Sequence, residues 1–251
     1  MENIGERLIW YYVPFTNIAL PLGGVNVLTI FNTLVVIFVL LTLMRLAIRR
    51  LEKIPGRAQV LVEMFVGGFD DLVAGALELE TRRENRKYFP LIAALFCFLL
   101  LCNFMGFLPG DIFQEPTADI NTTLSLGIMG LVISTYSGMR AKGIGGYFQD
   151  LLGPMWSEEG AEGLAKIGGK LSALFFFPLN VVGEMSKVIS ISFRLFGNIM
   201  GGAIIIIVVS TLTYNVMLPI GLSYFFCFFV GTIQAFVFTM LTLTYIAVAI
   251  K

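Results

Sequence analysis

The chain has 251 residues, of which 57% are hydrophobic and 14% charged. An average soluble protein carries about 25% charged residues, and here the apolar residues come in blocks of about 20, enough helix to cross roughly 30 Å of hydrocarbon. That excludes a soluble globule and describes an all-α membrane protein. Lysine plus arginine balances aspartate plus glutamate at 17 each, so no basic excess points to nucleic acid.

The first 26 residues read as an external segment, and "MENIGERLIWYYVPF" lacks the basic start, apolar run and small-residue cleavage site of a secretory signal. About five membrane helices are expected in the rest, 27–251. The first spans about 27–47 and ends in Arg45, Arg49, Arg50 and Lys53, which places that end in the cytoplasm. An amphipathic helix follows at about 56–84, with Leu61, Phe65, Phe69, Leu72 and Ala76 at helical spacing and Glu63, Asp70, Asp71 and Glu78 elsewhere. Helices that lie freely on membranes usually carry lysine and arginine on the polar face, so this acidic one is expected to pack on protein at the cytoplasmic side.

The second span, about 88–108, is preceded by Arg82, Arg83, Arg86 and Lys87, and its far loop holds Asp111, Glu115 and Asp119 without lysine or arginine. The third, about 120–139, returns to Arg140 and Lys142. Lys166 and Lys170 precede the fourth, about 171–212, and the fifth covers about 218–250. These basic flanks agree on one orientation, with the N-terminus outside and the C-terminus cytoplasmic. No charged side chain occurs from 195 to 250, and "TYNVMLPIG" (213–221) marks a hairpin between the last two helices. A helix from about 171 to 214 would be roughly 66 Å long, twice a perpendicular crossing. It must be broken, bent at Pro178, or strongly tilted.

Cys97, Cys102 and Cys227 lie in apolar runs without metal spacing and read as small fillers. With no histidine in the chain, the commonest metal ligand and the usual proton shuttle are missing, and no metal or cofactor is expected. "IGGKLS" (167–172) is not a phosphate loop, because Leu164 and Leu171 stand where glycine and serine or threonine are required.

The informative stretch is "SKVISISFRLFGNIMGG" (186–202), which places Arg194 among long apolar runs. An arginine at the centre of a lipid-exposed helix costs at least about 2.5 to 3.5 kcal/mol. At about 100° per residue, Lys187 and Gly201 fall about 20° from Arg194, Ser190 and Asn198 about 40°, Gly197 about 60° and Glu184 about 80°. One face of the helix is therefore polar and small, and the spacing of Gly197 and Gly201 lets another backbone come close. No acid of this chain is visible at the depth of Arg194, and its missing partner points to a carboxylate from another subunit.

"FRLFGNIMGG" (193–202) followed by "GTIQAFVFTMLTLTY" (231–245) resembles the last two helices of the a subunit of bacterial F-type rotary ATP synthases. "NFMGFLPG" (103–110), "PTADINTTLSL" (116–126) and "PLNVVGEMSK" (178–187) extend the resemblance over most of the chain from residue 88 onward. The resemblance implies a non-catalytic stator in the bacterial plasma membrane that contacts a rotating ring of c subunits, the b subunits of the peripheral stalk, and lipid. It implies that Arg194 faces the ring's ion-binding carboxylate between two aqueous half-channels, with Asn198 and Gln234 nearby and Gly197 and Gly201 against the ring. Asn103, Asp119 and Asn121 match polar positions of the outer half-channel, and Glu184 and Lys187 fall where the cytoplasmic one is expected. It also implies that the paired helices are long and tilted.

The sequence departs from many members at two places. Ala203 stands where they carry an acid, and Cys227 where some carry histidine. The outer path is then expected to rely on water and on Asn103, Asn121, Ser125 and Gln234, with proton and sodium both open as the coupling ion. The competing function is a secondary transporter with a charged site at the midplane between two repeats, and no such repeat is visible. A structural membrane subunit without ion traffic is the third reading, and the polar face around Arg194 argues against it.

Overall fold

The computed structural model describes residues 9–10, 25–49, 56–77, 82–108, 114–152, 164–213 and 217–250. Its helices are α1 (Val27–Arg49), α2 (Arg57–Leu77), α3 (Arg82–Met105), α4 (Ile120–Leu152), α5 (Leu164–Thr213), α6 (Met217–Tyr224) and α7 (Gly231–Ile250). A 3-10 turn (Pro116–Ala118) precedes α4, and a π-helical segment (Phe225–Val230) joins α6 to α7. Among the described residues, the strands are a pair of two residues each, β1 (Ile9–Trp10) and β2 (Val25–Asn26), antiparallel with Ile9 opposite Asn26.

Among the described residues, four segments are long and apolar enough to cross a membrane: Val27–Arg49, Lys87–Met105, Phe177–Thr213 and Met217–Ile250. The third expected span lies in α4, which is not among the four because serine, threonine and glycine dilute its apolar residues. Those small residues face protein. A Cβ on Gly127 would collide with Ser192 Oγ of α5, one on Gly130 would touch Thr242 at 3.6 Å, and one on Gly138 would lie 3.0 Å from the Ala249 carbonyl. Ser134 Oγ donates to the Tyr245 carbonyl at 2.9 Å. The stripe lets α4 sit close against both α5 and α7. Helical geometry breaks at Gly143, whose φ of 77° favours glycine, just beyond Arg140 and Lys142.

The expected fourth span lies in α5, one unbroken helix of 50 residues that runs through Pro178. Its apolar part, Phe177–Thr213, has 37 residues, about 55 Å of helix. Such a helix fits a hydrocarbon core of about 30 Å only when inclined. Of the three options left open by the sequence, a break is excluded. The hairpin turn falls in 214–216, outside the described residues, and Pro219 sits in the first turn of α6, where a missing N–H costs nothing.

α2 packs against α3 and α7, as an acidic amphipathic helix with a protein-facing stripe should. The buried residues are Phe69, Val73 and Leu77, with Phe69 and Phe65 stacked on Phe96 at ring separations of 5.0 and 6.1 Å. Leu61 and Leu72, expected on the same face, lie at its edges and stay exposed. The core continues through Ile92, Leu95 and Leu99 of α3, Ile191 and Leu195 of α5, and Ala235, Phe238, Leu243 and Ile246 of α7. Around it, most large side chains of α1 and of the outer face of α5 are exposed, including Leu34, Phe38, Ile204 and Ile207, as a lipid-facing surface requires.

Candidate functional site

Arg194 sits on α5 with its side chain exposed, and it makes no hydrogen bond or ion pair with any described residue. Leu195, Ile191 and Ser192 next to it are buried against the bundle, which turns Arg194 outward. Ser190 and Gly197 are exposed on the same face. A Cβ built on Gly197 or Gly201 would meet no atom of the chain within 4 Å, whereas one on the neighbouring Gly202 would lie 3.0 Å from the Phe226 ring. The small stripe that carries the arginine is therefore left open by this chain.

Two cavities flank Arg194 along α5. One, about 500 Å³, is lined by Asn103, Glu115, Asn198, Ala203, Cys227 and Gln234 among others. The second, about 390 Å³, is lined by Lys142, Asn180, Glu184, Lys187 and Tyr245 among others. Lys187 lies about 10 Å before Arg194 along the helix and Asn198 about 6 Å after it, at 1.5 Å per residue.

The first cavity is held by amides, of which Asn103 and Gln234 are buried and Asn198 is exposed. Asn198 Nδ2 donates to Gln234 Oε1 at 2.9 Å. Gln234 is 4% exposed and its Nε2 has no hydrogen-bond partner among the described residues. A buried amide N–H left unpaired costs about 1 to 3 kcal/mol, so an unmet donor sits in the wall of this cavity. Asn103 ties three elements together: Nδ2 donates to the Gly231 carbonyl at 2.8 Å, Oδ1 accepts from Thr117 Oγ1 at 3.1 Å, and its carbonyl accepts from Cys227 Sγ at 3.1 Å. Cys227 thus donates a hydrogen bond, a role that apolar filler does not describe. Cys227 lies in the π-helical segment, a distortion often found at functional sites.

At the second cavity Lys187 Nζ pairs with Glu184 Oε1 one turn earlier and lies 5.5 Å from the centre of the Tyr245 ring. Asp119 and Asn121 do not line the first cavity. Asp119 starts α4, Oδ1 accepting from the Asn121 backbone N–H at 3.0 Å, and its Oδ2 accepts from Thr29 Oγ1 of α1 at 3.4 Å. Ser125 Oγ donates to the Thr122 carbonyl at 2.8 Å on an exposed face of α4.

Glu115 is a lining residue that sequence reasoning placed only in a solvated acidic loop. It is half-buried, its side chain covers Gly106 at the end of α3 so closely that no Cβ fits there, and burial pushes its carboxyl up to about 7. No sequence signal separates it from an ordinary loop carboxylate.

Comparison with known proteins converges on one family. Residues 27–247 match the family described as ATP synthase A chain. The chain is 36% identical to ATP synthase subunit a of Moorella thermoacetica over 219 residues, covering 87% of this chain and 88% of that one. It is 36% identical to ATP synthase subunit a of Campylobacter jejuni subsp. doylei over 203 residues, 80% of each chain. Against ATP synthase subunit a of Syntrophobacter fumaroxidans it is 34% identical over 219 residues, 87% of this chain and 82% of that one.

Proposed function

The chain belongs to the ATP synthase A chain family, as a non-catalytic membrane subunit of that complex, and we propose that it is the stator through which ions reach and leave a rotating ring of c subunits. The observation that carries this reading is Arg194: a permanent cation, exposed and unpartnered among the described residues, on a glycine-lined open face between two cavities. A helix of the ring occupies that face, with Gly197 and Gly201 allowing close approach. Asn198, Gln234 and Asn103 line the half-channel on one side of Arg194, and Glu184, Lys187 and the adjoining Ser190 mark the other. Asp119 and Asn121 contribute by fixing the start of α4 at the mouth of the first.

The mechanism follows from electrostatics. A ring carboxylate crosses lipid neutralised by a proton or a sodium ion, because an isolated carboxylate is too costly there. About 4 Å from Arg194, at an effective dielectric constant of about 20, the ionised form gains about 4 kcal/mol, roughly three units of pKa at 1.36 kcal/mol each. The ion is released into one cavity, and the carboxylate is reloaded from the other after it leaves the arginine. The guanidinium also repels a cation moving straight from one cavity to the other, so transfer requires rotation, which is coupled to ATP synthesis.

Five crossings place the N-terminus outside and the C-terminus in the cytoplasm of a bacterial plasma membrane, with α4 as the fifth, screened from lipid on its small face. The charges support this sidedness: Lys87, Arg140 and Ile250 line one cavity, and Lys142 and Lys187 another, while Thr29 at the start of α1 meets Asp119. The b subunits of the peripheral stalk hold the chain against the turning ring. The test is ATP synthesis driven by an imposed ion gradient in vesicles containing the assembled complex. Arg194→Ala is expected to abolish it, and synthesis at the unmodified rate would overturn the proposal.

A further inference from the structure

Resting on the reading of the first cavity as an ion path, we propose that Glu115 is its proton-exchanging carboxylate, taking protons from solution at the mouth and releasing them inward toward Gln234 and Asn198. Glu115 precedes the 3-10 turn and stands where a side chain could cap it, yet makes no capping hydrogen bond. Instead it folds over Gly106 and lines the cavity. Among the described residues, no lysine or arginine lines that cavity to hold the carboxylate ionised. On the facing elements, the titratable groups among the described residues that feel its charge are the thiols of Cys102 on α3 and Cys227 on the π-helical segment. Asp119, on its own segment, is occupied by Thr29 and the start of α4.

The second, independent observation lies at the inner end. Gln234 lines the same cavity, its Oε1 held by Asn198 and its buried Nε2 without a partner among the described residues. A volume of about 500 Å³ has room for a chain of waters, each taking about 30 Å³ in the liquid. Such a chain connects Glu115 to the wall formed by Asn198 and Gln234. The proton balance is simple: an O–H bond forms as the carboxylate takes a proton from a hydronium ion outside, and breaks as that proton passes to a cavity water. The carboxylate is restored, and the ring carboxylate is the final acceptor. With a carboxyl that titrates near 7, exchange is fast in both directions at neutral pH. Glu115 thereby supplies the acid that Ala203 and Cys227 do not.

The experiment uses the whole complex in vesicles, with ATP synthesis and passive proton flux measured while pH on the acidic-loop side is varied from about 6 to about 8.5. In the unmodified complex, proton uptake from that side falls as pH rises through 7, because the deprotonated form has no proton to give. Glu115→Gln is expected to lower flux and synthesis about tenfold or more and to remove that inflection, at equal amounts of assembled complex. Adding Ala203→Glu, which places a carboxylate on the same cavity wall, is expected to restore flux. Glu115→Gln with unmodified flux and the same pH profile overturns the assignment. Where Glu115→Gln lowers the yield of complex, Glu115→Asp carries the test, since a proton-exchanging acid survives that change; loss of flux as deep as with Gln in assembled complex overturns it. Arg194→Ala in parallel separates the two readings: if it abolishes synthesis while Glu115→Gln does not, the assignment of Glu115 alone fails.

Discussion

Replacing Gly231 by alanine tests how the first cavity is held. The new Cβ would lie 3.0 Å from Asn103 Cβ and 3.6 Å from its Nδ2, between the two residues that share the 2.8 Å bond from Asn103 to the Gly231 carbonyl. Helix backbone bears the methyl on one side and a buried side chain tied to Thr117 and Cys227 meets it on the other, so neither yields freely. Overpacking costs about 1 to 3 kcal/mol, and loosening a buried amide bond adds about 1 kcal/mol. Replacing a helical glycine returns about 1 kcal/mol. The net loss is about 1 to 3 kcal/mol, or roughly 2 to 10 °C in melting temperature for a chain of this size. Buried Cys102 provides the readout in a background with Cys97 and Cys227 replaced by serine, because a thiol-reactive dye reaches it only as the bundle opens. Gly201→Ala is the control, with nothing within 4 Å of its Cβ, and should melt no lower than the unmodified chain when the subunit is purified without the ring. A melting temperature for Gly231→Ala equal to that of the control would refute the close contact of α3 and α7 on which the cavity depends.

In the complex the two glycines exchange roles. Gly201→Leu should lower coupled ATP synthesis more than Ile205→Leu does at equal amounts of assembled complex, because bulk at the open stripe separates it from the ring. Equal rates would remove the ring from that face. For sidedness, a cysteine in place of Gln114 should react with an impermeant maleimide only from outside, and one in place of Lys142 only from the cytoplasm. Labelling of the Gln114 site from the cytoplasm alone would invert the topology.

What could be read from the sequence follows from the strength of each physical signal. Runs of about 20 apolar residues announce spans, and helical periodicity recovers the polar small face of Ser190, Arg194, Gly197 and Gly201, because a single helix dictates it. α4 was harder. Its Gly127, Gly130, Ser134 and Gly138 lower its hydropathy because they are buried against α5 and α7, and a window that counts transfer to lipid cannot distinguish burial in protein from exposure to water. The length of α5 was legible, but its continuity through Pro178 depends on neighbours that compensate for the lost N–H. Asn103 was singled out only by the family resemblance, and its partners Thr117, Cys227 and Gly231 are 14, 124 and 128 positions away. Only folding brings such pairs together. Glu115 was hidden for the same reason: its environment is made by the end of α3 and the π-helical segment, and nothing local marks it.

The account stands on the separate effects of charge and shape at Arg194, and passive ion flux across vesicles with assembled complex measures them most directly. Arg194→Ala removes both the partner of the ring carboxylate and the barrier between the two cavities, so synthesis should cease while flux driven by an imposed potential rises. Arg194→Lys keeps a cation, though one that lacks the planar fork of donors and loses its proton more readily when desolvated. It should hold flux below that of the alanine variant and still fail to restore synthesis. Flux that is the same in the alanine, lysine and unmodified complexes, with synthesis preserved, would contradict the claim that Arg194 is the electrostatic divide between two ion paths.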